Sequence, residues 1–150
     1  MAIGERIRYL RTLREMTQKQ LGVMVGFPEK SADVRLAQYE SGVRTPKEEL
    51  TAKLAEVLGV RPAALSVPDI DTDVGLMHTL FALEDTRALK IGEIDGEICI
   101  RIDKSKGFTS ANMFEMLYAW QQQRAKYEAG ELSDEEYNQW RYTYPKELRR

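Results

Sequence analysis

TQKQLGVMVG (17–26), then a break, RLAQYESG (35–42), then VRTP (43–46): between Thr17 and Pro46 the chain writes two short helices and the start of a third. Thr17 and Gln20 have the spacing of a capping box at a helix N-terminus. Thr45, Pro46 and Glu48 repeat the device, with an N-cap, a proline at the first helical position and an acid at the third. Gly26 and Gly42 fall where the preceding helices should end. Outward from this stretch, apolar residues recur at helical spacing: Ile3, Ile7 and Leu10 in a first helix, Leu21, Met24 and Val25 in a second, Leu36 and Tyr39 in a third, Leu50, Leu54, Val57 and Leu58 in a fourth. Arg61-Pro62 opens a short fifth turn ending near Leu65. Five such helices in about 65 residues can close one small core.

Two short helices with this break are the layout of a DNA-reading helix-turn-helix. At IGERIRYLR (3–11), TQKQL (17–21), QYESG (38–42) and TPKEELTAKLAEVLGV (45–60) the chain resembles the Xre/Cro family of phage-repressor-type helix-turn-helix regulators. The resemblance covers Ile3 to Leu65, in the right order and spacing. It implies a five-helix, lambda-repressor-like DNA-binding domain whose third helix lies in the major groove. One departure is visible. Members of the family usually have fewer residues between Gly26 and Tyr39, so Phe27-Pro28-Glu29-Lys30 lengthens the turn or the start of helix three.

Helix geometry and the resemblance together nominate contacts with double-stranded DNA. With Leu36 and Tyr39 facing the core, Asp33, Val34, Arg35 and Gln38 lie on or beside the opposite face of helix three, where side chains meet base edges. Gln38 can bond adenine bidentately and Arg35 guanine, whereas Val34 can only pack on a thymine methyl. Asp33 could accept from cytosine, but capping the helix start near Ser31 suits it better. By resemblance, Gln18 in the first turn of helix two and Arg44 after Gly42 meet phosphates, with Lys30 and Lys47 as further phosphate contacts. The family also commonly pairs an Arg near the end of helix one with the Glu after the aromatic of helix three. Here these are Arg11 and Glu40, read as a structural pair that fixes the recognition helix.

Composition bounds the remainder. At 150 residues with 43% apolar and 31% charged residues, the chain fits one domain or two small ones and is globular. No apolar run approaches membrane-spanning length and no signal-peptide pattern opens the chain, so a cytoplasmic protein with no membrane association is expected. The single cysteine, Cys99, excludes an internal disulfide and fits a reducing compartment. The net charge of −2 is unevenly spread: residues 1–66 hold 11 Lys and Arg against 8 Asp and Glu, and residues 67–150 hold 11 against 16. The basic half is the electrostatic footprint of a nucleic-acid binder, and the acidic half points elsewhere.

Residues 67–72 read as a linker and 73–150 as a small α+β domain with one β-hairpin and about three helices, in a chain that is mainly α overall. Asp71, Thr72 or Asp73 caps a helix running to about Arg87 along Val74, Met77, Leu80, Phe81 and Leu83. The period then becomes alternating. Leu89 and Ile91, then Ile98, Ile100 and Ile102, flank the Asp95-Gly96 turn of a hairpin in which Ile91 opposes Ile100 and Leu89 opposes Ile102. Two helices follow: Ser110 to Ala129, with Met113, Leu117, Trp120 and Tyr127 in a stripe, and Ser133 to about Tyr144, opened by a Ser133/Glu136 capping box. Ten of the thirteen aromatics lie after residue 66, material for a separate core. A two-stranded hairpin is marginal alone, so packing between two copies is an alternative.

Two roles compete for this half: homodimerisation, which would place two reading heads on a palindromic site, and binding of a small ligand, peptide or protein partner that biases the DNA-bound state. Dimerisation is preferred, giving a transcriptional regulator of the repressor kind. The class-level alternative is an antitoxin-like protein that represses its own operon and neutralises a protein partner through its C-terminal half. An enzyme is not expected. His78 is the only His and Cys99 the only Cys, and no metal-ligand spacing, phosphate loop or triad can be assembled. Hence no catalytic residue, no metal and no cofactor is anticipated.

Overall fold

The computed structural model describes residues 2–68 and 70–145. Met1, Asp69 in the expected linker and residues 146–150 at the end of the expected C-terminal domain lie outside the described residues. The chain forms two compact units, residues 1–69 with 139–150, and residues 70–138.

In the first unit, α1 (Ala2–Leu13), α2 (Gln18–Met24), a 3-10 turn (Glu29–Ser31), α3 (Ala32–Glu40), α4 (Glu48–Leu58) and α5 (Pro62–Leu65) follow one another. The capping box forms: Thr17 Oγ1 accepts from Gln20 N at 3.1 Å and Gln20 Oε1 accepts from Thr17 N at 2.7 Å. Pro62 starts α5 at its first turn. Ile7, Leu10, Leu21, Val25, Leu36, Leu54, Leu58 and Leu65 fill the core. Thr45 and Pro46 do not open α4. The helix begins at Glu48 with an extended Lys47 as its N-cap, and Pro46 is a buried residue of the loop before it. Glu48 and Glu49 still place negative charge in the first turn, where the helix dipole favours it.

The first unit also takes in residues that the sequence reading assigns to the C-terminal domain. Tyr142, from the end of α8 (Asp134–Thr143), belongs to its core cluster, edge-on to Tyr9 at 6.4 Å between ring centroids. Arg61 N donates to Tyr142 O at 2.9 Å and Arg61 Nε to Thr143 O at 3.1 Å. Burial pushes the Tyr142 phenol above the usual tyrosine range, with the Tyr9 hydroxyl adding to it.

In the second unit, Thr72 caps α6 (Asp73–Thr86), its Oγ1 accepting from Gly75 N at 3.0 Å. β1 (Leu89–Ile94) and β2 (Glu97–Ile102) pair antiparallel with Ile91 opposite Ile100 and Leu89 opposite Ile102. Asp95 and Gly96 both take positive φ, as the two-residue hairpin turn requires. A 3-10 turn (Lys104–Lys106), α7 (Phe108–Glu128) and the start of α8 complete it. Ser133 and Glu136 form the second capping box, and its hydrogen bonds hold the Glu136 carboxyl below the usual range. Trp120 Nε1 donates to Tyr137 OH at 2.8 Å, and Tyr127 stacks on Tyr137 at 4.8 Å. The apolar stripes of α6 and α7 do not close a core of their own: no residue of α6 is buried, and Ser110 is the buried residue of α7. One hairpin and a few helices offer too little opposing surface to cover them.

Candidate nucleic-acid interface

Two glycines set how closely the helices around α3 approach. A Cβ on Gly22 would lie 2.6 Å from Ala32 O, so the missing side chain lets α2 rest against the first turn of α3. A Cβ on Gly4 would meet Tyr39 O at 2.6 Å and Glu40 O at 2.7 Å, which does the same for α1 at the other end of α3.

A polar clamp then fixes that end. Arg11 Nε donates to Glu40 Oε1, Arg11 Nη2 to Glu40 Oε2 at 3.1 Å, and Arg11 Nη1 to Met16 O at 2.7 Å. Gln18 Nε2 donates to the same Glu40 Oε2 at 2.8 Å. Glu40 therefore ties α1, α2 and α3 together from a site where its side chain is 4% exposed. A buried carboxylate is tolerable only with such partners.

The extra residues after Gly26 form the 3-10 turn, and they are anchored. Phe27 stacks on Tyr39 at 6.0 Å, and the Arg35 guanidinium lies 4.4 Å from the Phe27 ring centroid. No side-chain hydrogen bond caps α3. Its N-cap is Ser31, and Asp33 lies inside the first turn, where its charge faces the positive end of the helix.

Of the nominated base-contacting residues, Asp33 and Val34 are exposed, and Arg35 and Gln38 are half-buried on the flanks of α3. Gln38 Oε1 is shielded from solvent and, among the described residues, accepts no hydrogen bond. Ala37, half-exposed, shares the outward face one turn beyond Asp33. Sequence reasoning passed over it, although the i, i+4 spacing from Asp33 was the available signal. Of the nominated phosphate contacts, Lys30, Arg44 and Lys47 are exposed, whereas the Gln18 amide is engaged with Glu40.

Arg35, Arg44, Lys47 and Lys53 line one open groove of about 550 Å³ beside α3, with Phe27 and Tyr39 as its apolar wall. Lys53 is paired with Glu49 at 2.9 Å, and that bond holds the Glu49 carboxyl below the usual range. Other cations of the basic half are occupied elsewhere. Arg6 Nε donates to Ala64 O, Arg14 Nε to Leu58 O and Arg61 Nε to Thr143 O. Among the described residues no group of three or more His, Cys, Asp or Glu gathers as a metal site, and no helix is long and apolar enough to cross a membrane.

Residues 7–65 match the model of the family described as Helix-turn-helix. Among solved structures, the crystal structure of the transcriptional regulator BswR is similar at 30% identity. The match covers 57% of this chain and 95% of that one, with a TM-score of 0.43. None of the curated proteins compared with the chain matches it. Through its N-terminal part the chain belongs to the Xre and lambda-repressor type of helix-turn-helix family, whose members are DNA-binding transcriptional regulators.

Proposed function

We propose that the protein is a sequence-specific repressor that acts in the cytoplasm as a homodimer on a palindromic operator, without catalysis of its own. The observation that carries this reading is the outward face of α3, flanked on one side by the groove of Arg35, Arg44 and Lys47. With α3 in the major groove, Asp33, Val34, Arg35 and Gln38 face base edges, while Lys30, Arg44 and Lys47 follow the phosphates. Gln18 gives up one amide bond to Glu40 and reaches the backbone with what remains. The orphaned amide oxygen of Gln38 favours a role in recognition, because turning the amide onto an adenine edge would satisfy both of its ends.

Two substitutions test it. Gln38→Ala is expected to relax base preference at one position per half-site, costing about 1–3 kcal/mol there. Equal loss on all sequences would remove Gln38 from base reading. Arg44→Ala is expected to weaken every sequence alike and to reduce the slope of log K against log salt by about one. An unchanged slope would take Arg44 out of the phosphate contacts.

A further inference from the structure

The unit of residues 70–138 buries little. Ala88, Ser110 and Tyr137 are its buried residues among those described, and no residue of β1 or β2 is buried. Its exposed apolar side chains are not scattered. Met77 and Phe81 of α6, with Ile91 and Ile100 of the hairpin, line an apolar groove of about 280 Å³. Ile98 stands next along the same sheet face and is 80% exposed. These five side chains present roughly 500 Å² of apolar surface, at the upper end of what a monomer leaves uncovered. With flanking residues, that approaches the roughly 800 Å² per partner of a stable interface.

Charge along the hairpin is polarised. Its tip carries Glu93, Asp95 and Glu97, all exposed. Its base carries Arg87, Lys104 and Lys106, diluted by Glu84 and Asp85 at the end of α6, while Lys90 is paired with Asp103 at 3.6 Å. Two hairpins laid parallel would bring the two acidic tips together. Laid antiparallel, each acidic tip moves away from its twin and toward the other copy's basic base.

We infer that a second copy of the chain covers this face. The hairpins run antiparallel across a two-fold axis, and Ile98 of each copy enters the groove of Met77, Phe81, Ile91 and Ile100 on the other. The contact is isologous, so one knob and one groove per chain complete the interface twice. The inference rests on the homodimeric reading above and assigns it a surface.

Sedimentation velocity on the full-length protein tests it. The wild type is expected to be a dimer. Ile98→Lys, at a position exposed enough to leave each chain folded, should raise the dimer dissociation constant roughly 100-fold or more, with an unchanged circular dichroism spectrum. Val43→Lys, at an exposed apolar position of the first unit, should leave the dimer intact. The triple variant Met77→Cys, Ile98→Cys, Cys99→Ser should yield a covalent dimer on oxidation. An Ile98→Lys dimer as tight as wild type, or a wild type that is monomeric at every concentration, would overturn the inference. A monomer that still selects a DNA sequence would sink this surface and leave DNA recognition standing. A dimer dissolved by Ile98→Lys that selects no sequence would do the reverse.

Discussion

Tyr142→Ala is expected to destabilise the DNA-binding unit by about 3–5 kcal/mol, the range for emptying a large aromatic from a core. The residue is far in sequence from the helix-turn-helix, yet it is 8% exposed and packs in the same cluster as Ile7, Leu10 and Leu65. Its backbone carbonyl accepts from Arg61 N, and the Arg6 guanidinium lies 5.3 Å from its ring centroid. Against a total stability of about 5–15 kcal/mol, such a loss populates the unfolded unit and weakens DNA binding to every sequence. Tyr142→Phe keeps the ring and loses two long hydroxyl contacts, the bond it donates to Tyr9 OH at 3.4 Å and the one it accepts from Arg141 Nη2 at 3.3 Å, so about 1 kcal/mol is expected. Hydrogen exchange of the α1 and α4 amides reports the unit directly. Protection in Tyr142→Ala within about 0.5 kcal/mol of wild type would show that the tyrosine is a surface residue.

Arg11→Ala is expected to cost on the order of 3 kcal/mol, because it leaves Glu40 buried with the Gln18 amide as its remaining side-chain partner. The loss should fall on stability more than on specificity, since neither Arg11 nor Glu40 reaches the outward face of α3. Glu40→Gln keeps hydrogen-bonding capacity and should cost less than Glu40→Ala. The same hydrogen-exchange measurement, paired with base preference on a set of duplexes, separates the two effects. An Arg11→Ala protein of wild-type stability with altered base preference would place Arg11 at the DNA.

Local chemistry was the legible part. Thr17 with Gln20, Ser133 with Glu136, Arg61-Pro62 and Asp95-Gly96 each carry their structural consequence within four residues, and alternation from Leu89 to Ile102 fixed the hairpin register. What sequence could not show was which core a side chain joins. Tyr142 has the spacing of a helix stripe, and nothing local says that the stripe packs on α1 and α5. Pro46 reads as a helix starter by its type, but it lies buried two residues before α4 begins. Within the site, the outward face of α3 followed from period, whereas the engagement of Gln18 with Glu40 and of Arg35 with Phe27 depends on contacts between elements. The apolar faces of α6 and the hairpin were visible as faces, and their exposure emerges only when the helices available to cover them are placed.

Selection of bound duplexes from a random library by the full-length protein at physiological salt tests the central claim most directly. The expected result is an enriched inverted repeat with half-site centres one helical turn, about 34 Å, or a multiple of it apart. Salt-sensitive binding with no enriched sequence would contradict the claim that α3 reads bases.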